Sequence, residues 1–174
     1  MKCTVHLVLA VLAVHAAAPA LAAGSHEHGR ADLQIAVEAD VIDIHLGGAL
    51  DGFVGFEHRP RNAAERARVA SAVAQLSSPE QLVVPPPEAD CRVTLAEARD
   101  PFAEPAVGGA DAAPHVELSA SWQFRCRAPQ ALAGLRLTLF QAFPELERID
   151  VVVLDDRGPR VHRLAPPDAL LPLR

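Results

Sequence analysis

The strongest constraint on the fold is a two-residue alternation running from His115 to Cys126. Val116, Leu118, Ala120, Trp122, Phe124 and Cys126 share one parity, while His115, Glu117, Ser119 and Ser121 share the other. Successive side chains of a strand point to opposite faces, so this segment reads as a long strand with one dry face and one wet face. The same signal recurs near the start of the chain. Leu33, Ile35 and Val37 alternate with Asp32, Gln34 and Glu38; Ile42, Ile44 and Leu46 alternate with Asp43 and His45. With Ala39-Asp40 as a turn, these two segments form a hairpin.

The remaining elements follow from punctuation. Leu50 to Pro60 has no clear period and reads as irregular. Asn62 and Glu65 have capping-box spacing and open a helix from about Ala63 to Leu76, with Val69, Val73 and Leu76 as its apolar stripe. Ser78-Pro79 caps a short helical turn to about Val83, and Pro85-Pro86-Pro87 stops it. Cys91, Val93 and Leu95 alternate on a further strand, and Asp100 to Pro114 is a loop rich in Pro, Gly and Ala. Leu135 to Phe140 and Ile149 to Leu154 read as strands, and Asp155-Asp156-Arg157-Gly158 turns the chain back through Val161 and Leu164. The expectation is an α+β domain: a mostly antiparallel sheet of about seven strands, one main helix and one disulfide-clamped hairpin.

The first 22 residues read differently. Lys2 is followed by an apolar run, Val5 to Ala18, and then by Ala20-Leu21-Ala22. A positive start, a short apolar stretch and small residues at a cleavage site mark a secretory signal peptide; the run is too short to remain as a membrane span. The expected product is a single domain over 23–174 with a flexible, histidine-containing N-terminus, working in the periplasm. Cleavage leaves Cys91 and Cys126 of the three cysteines. A pair in an oxidising compartment is most simply a disulfide, and closing that loop contributes about 4 kcal/mol in the chain-entropy model. Their positions at the far ends of two strands joined by one loop suit antiparallel pairing. Lys2 is the only lysine, so its removal takes the formal net charge from −6 to −7. An acidic chain lacks the cationic footprint of a nucleic-acid binder but suits attraction of cations.

No nucleophile elbow, P-loop, H-E-x-x-H or dinucleotide glycine pattern is present, and an enzyme is not expected. Histidine carries the chemistry. His26 and His28 flank Glu27 in Ser-His-Glu-His-Gly, and imidazole suits borderline ions such as Zn²⁺. His58, beside Glu57, is either a ligand or a capping histidine. His115 and Glu117 share one strand face, either as a ligand pair or as a solvated surface. Cleavage after Ala22 leaves ordinary side-chain ligands. Cleavage after Ala23 would place an imidazole third from a free amine, a square-planar arrangement suited to Cu²⁺. Copper handling is therefore one alternative, and an envelope protein-interaction module with incidental histidines is another.

His26-Glu27-His28-Gly29, Gly55-Phe56-Glu57-His58-x-Pro60, Cys91, Phe124-x-Cys126 and Leu139-Phe140-x-x-Phe143-Pro144 occur in that order. Together they resemble the DUF2796 family, small periplasmic proteins of Gram-negative bacteria that include ZrgA-like zinc-binding proteins. The resemblance implies a non-catalytic zinc-binding protein assisting zinc uptake, as a metallochaperone or buffer beside a zinc ABC transporter. The implied ligands are His26, His28, His58 and His115. Family members often carry a histidine- and acid-rich run between the two cysteine strands. Here Asp100 to Pro114 contains no histidine, so a site must be assembled from dispersed residues.

Overall fold

The computed structural model describes residues 27–103, 116–167 and 170–173. The expected signal segment at 1–22, His26 and His115 lie outside them. The described chain forms nine strands and three helices: β1 (Arg30–Glu38), β2 (Val41–Ala49), α1 (Asp51–Val54), α2 (Ala63–Leu76), β3 (Val83–Val84), β4 (Cys91–Arg99), β5 (Glu117–Cys126), β6 (Gly134–Leu137), α3 (Leu139–Ala142), β7 (Arg148–Asp155), β8 (Gly158–Leu164) and β9 (Leu170–Pro172). Six strands make one sheet in the order β4-β5-β2-β1-β7-β8; β3, β6 and β9 make a second.

The alternation of β5 sets the large sheet as expected. Leu118, Ala120, Trp122, Phe124 and Cys126 are buried, and β5 pairs antiparallel with both β2 and β4. The β1–β2 hairpin closes through Ala39-Asp40, with Glu38 opposite Val41 and Ala39 at φ +50°. α2 covers the buried face through Val69, Ala72 and Leu76, while Val73 packs at the margin. Asn62 caps the helix by accepting the Glu65 amide at 2.9 Å. The Trp122 indole donates to the Leu76 carbonyl at 2.7 Å, tying the last turn of α2 to the middle of the sheet. A satisfied bond of this kind contributes about 1 kcal/mol.

Three expectations need correction. The strands number nine in two sheets, not about seven in one. β3 and β9 have two and three residues, too short to show a period, and prolines surround both. The sheet is mixed, because β1 and β7 run parallel from Arg30 opposite Arg148 to Ala36 opposite Leu154. Side-chain period reports burial, not the direction of the neighbouring strand. Finally, the strand expected from Leu135 to Phe140 stops at Leu137 and turns into α3, where the Phe143 amide bonds back to the Leu139 carbonyl at 2.8 Å.

The other face of the large sheet stays open to solvent. It carries Gln34, Asp43 and His45 together with exposed Leu95, Val152, Leu154 and Val161. At the far end, Arg157 and Arg160 both donate to the Leu173 carbonyl and to Asp155. Those guanidinium groups hold the Asp155 carboxyl well below the usual carboxylate range.

Cys91 and Cys126 are bonded, and they are direct cross-strand partners at the open end of the β4–β5 hairpin. β4 is otherwise an edge strand with a bulge between Val93 and Leu95. Replacing both cysteines by alanine should lower stability by about 3–4 kcal/mol, read as a lower urea midpoint. An unchanged midpoint would mean that β4 is held by its strand pairing alone.

Candidate metal centre

Residues far apart in sequence meet at one end of the large sheet. α1 begins directly after β2 and presents Asp51 in its first turn, and Gly55 ends it with φ +82°. The chain then runs through Phe56 to Glu57. From the other side, the segment entering β1 brings in His28. Behind both lies the turn from Phe143 to Glu147, where Phe143 packs edge to face on Phe53 of α1 with ring centroids 5.1 Å apart. Close approach is possible because two of the contacting residues are glycines. A Cβ on Gly52 would lie 2.9 Å from Leu146 and 3.6 Å from the Gly29 Cα; Gly29 itself adopts φ +67°.

The result is a group of three metal-ligand side chains, His28, Asp51 and Glu57, whose donor atoms all lie within 4.8 Å of one another. His28 Nδ1 donates to Asp51 Oδ2 at 2.8 Å and lies 3.7 Å from Glu57 Oε1. The Gly29 amide donates to the same Asp51 oxygen at 3.2 Å. Asp51 Oδ1 is buried and has no hydrogen-bond partner among the described residues. His28 is 77% exposed, whereas Asp51 and Glu57 are 15% and 23% exposed. Donors on a tetrahedral zinc ion at bonds of about 2.0–2.1 Å stand roughly 3.3 Å apart. The observed separations of 2.8 and 3.7 Å bracket that value, and the orphaned Asp51 oxygen supplies a further lone pair. One imidazole and two carboxylates suit a borderline divalent ion.

The other expected residues stand elsewhere or outside the described chain. His58 stacks on Phe56 with centroids 4.9 Å apart, and its Nδ1 donates to the Arg59 carbonyl at 3.1 Å. Glu65 lies 3.9 Å from it. The Arg61 amide hydrogen-bonds that carboxylate at 2.7 Å and pulls its pKa below the ordinary value. Glu117 is an exposed residue opposite Ala49 and does not join the three-donor group. Asp51 was missed in the sequence because it falls in the segment read as irregular. Its signal was an acid at the start of a single helical turn, Asp51-Gly52-Phe53-Val54, six positions before Glu57.

These features define a small disulfide-clamped α+β domain with one exposed imidazole and two largely covered carboxylates, a donor set that could hold a divalent ion, gathered at one sheet end. The model of the ZrgA family zinc uptake protein matches residues 25–173, and the chain belongs to that family. No curated protein matches the sequence.

The hydrogen bond to Asp51, followed by the charges of Asp51 and Glu57, raises the His28 pKa above its ordinary 6.5. Because the folded-state value exceeds the unfolded one, the pair contributes stability that is fully present below pH 6.5 and is lost as pH rises through the raised value. In the metal-free protein, the His28 ring followed by NMR should therefore titrate above 6.5, and Asp51→Asn should move it down. A His28 midpoint indifferent to that substitution would contradict the contact.

Proposed function

We propose that this chain is a periplasmic zinc-binding protein of a zinc uptake system, acting by binding and release rather than by catalysis. The observation that carries the reading is the His28–Asp51–Glu57 group, assembled from two distant stretches of a chain in a zinc uptake family. His26 and His115 are proposed to complete the set. His26 precedes Glu27 directly, and His115 precedes Val116, whose carbonyl accepts the Leu50 amide at 2.8 Å, one residue from Asp51. His58 and Glu117 are secondary candidates, able to hold zinc weakly at high loading.

The donor set favours exchange. Both mature cysteines are consumed in the disulfide, so no thiolate closes the site. A thiolate-rich, fully enclosed site belongs to structural zinc; an open position belongs to zinc that must react or move. The disulfide also fits an extracytoplasmic location, and among the described residues no helix is long and apolar enough to cross a membrane.

Titration calorimetry of the processed protein with zinc at neutral pH should show one site of micromolar or tighter affinity. Asp51→Ala and Glu57→Ala should each weaken it by about tenfold or more, which corresponds to ~1.4 kcal/mol. Affinity should fall as pH drops, since zinc must displace the His28 proton, and the raised His28 pKa extends that competition above 6.5. Equal binding by the wild type and a His28→Ala/Asp51→Ala/Glu57→Ala variant would overturn the site. A copper titration alongside decides between the two metals.

A further inference from the structure

We infer that the ion pair between Glu27 and Arg148 is a latch that positions His28 for the metal, and that Glu27 is thereby withheld from being a ligand itself; this rests on the zinc-site reading above. Glu27 lies between His26 and His28, where a carboxylate would be an obvious donor. Instead the Arg148 guanidinium takes it, and Arg30 stands 3.9 Å from the same oxygen. Arg148 is itself fixed. Its Nε donates to Asp150 at 3.2 Å; Arg163 also donates to Asp150 at 2.9 Å, and Arg30 forms an ion pair with it at 2.9 Å. A planar fork held at one end by Asp150 thus presents its other end to Glu27.

On the other side of His28, the main chain is clamped. The Gly29 carbonyl accepts the amides of Glu147 and Arg148 at 2.8 and 3.1 Å, and its amide donates to Asp51 at 3.2 Å. His28 is therefore the one exposed residue between two anchors, and both anchors lead to Arg148. The positive φ of Gly29 aims the imidazole back across the sheet end to Asp51. The Glu27–Arg148 pair is itself 52% and 30% exposed. A pair so exposed adds little to global stability, so its effect is local: it reduces the freedom of the segment carrying His28.

Two roles for Glu27 give opposite signs. If the pair is a latch, removing Arg148 loosens His28 and weakens zinc. If Glu27 is a competing ligand, removing Arg148 frees a carboxylate and strengthens zinc. The experiment is calorimetric zinc titration of wild type, Glu27→Gln, Arg148→Gln, the double variant and Arg148→Lys, with thermal melts and NMR exchange of the Gly29 amide in the metal-free proteins. Arg148→Gln and Glu27→Gln should each weaken zinc by roughly two- to fivefold, within what exposed charge pairs contribute. The double variant should be no weaker than either single, Arg148→Lys, which keeps the charge but loses the two-ended fork, should recover only part of the affinity, and the melts should stay together. Gly29 exchange should quicken in both Gln variants. Zinc binding by Arg148→Gln equal to or tighter than wild type overturns the latch and leaves the site standing. A wild type that binds no zinc overturns the site, while faster Gly29 exchange in Arg148→Gln would still establish the latch on the N-terminal segment.

Discussion

β1 and β7 run parallel over seven residue pairs from Arg30/Arg148 onward, and this pairing joins the N-terminal hairpin to the C-terminal one. Parallel neighbours need a long crossover, and here it runs through β2, α1, α2, β3, the β4–β5 hairpin, β6 and α3. Its register decides which residues meet at the sheet end. With Arg30 opposite Arg148, the Gly29 carbonyl falls where the Glu147 and Arg148 amides can both reach it. A slip of one residue would turn either Leu33 and Ile35 or Val151 and Val153 out of the core. Burial therefore locks the register, and the register brings His28 over α1. The metal-ligand group is a consequence of core packing as much as of the ligands' own attraction.

What was legible in the sequence follows from which physical signals are local. The β1–β2 hairpin, β5, α2 with its Asn62 cap and the cystine were readable because alternation, capping and cysteine spacing act within a few residues. The parallel pairing of β1 with β7 was not readable, because it brings together residues more than a hundred positions apart with no local mark. β3 and β9 are held by partners rather than by their own pattern, Val83 against Leu137 and Leu171 against Leu135. At the site, His28 and Glu57 stood out as ligand types in recognisable motifs. Asp51 did not, since a lone acid after a strand looks like solvated surface until its neighbours are known. His58 shows the converse. It is the most conspicuous histidine of its motif, yet stacking on Phe56 and the bond to the Arg59 carbonyl direct it away from the three-donor group.

The disulfide and the metal ligands divide two tasks that cysteine could have combined. The cystine fastens the edge strand β4 to β5 at the open end of their hairpin, in addition to the strand pairing that runs from Cys91/Cys126 to Arg99/Ser119. Oxidation of the pair removes the softest donors from metal chemistry, and what remains is imidazole and carboxylate. Such donors would bind zinc in competition with protons, so affinity at the proposed site would depend on pH.

Charge and exposure at the site point in the same direction. With His28 neutral, Asp51 and Glu57 carry two negative charges and a bound dication is balanced. Both carboxylates are largely covered, which strengthens their attraction for the ion, while the imidazole between them and solvent is mostly exposed. On the proposed reading, the ion would be held from behind by charge and from in front by the exposed His28 ring, whose backbone is tied on both sides by the Glu27 and Gly29 contacts. In the proposed function, an incoming imidazole or carboxylate would approach on the exposed His28 side and exchange ligands one at a time. Such stepwise exchange would avoid stripping the ion to an uncompensated state, which is the costly part of moving a dication between proteins.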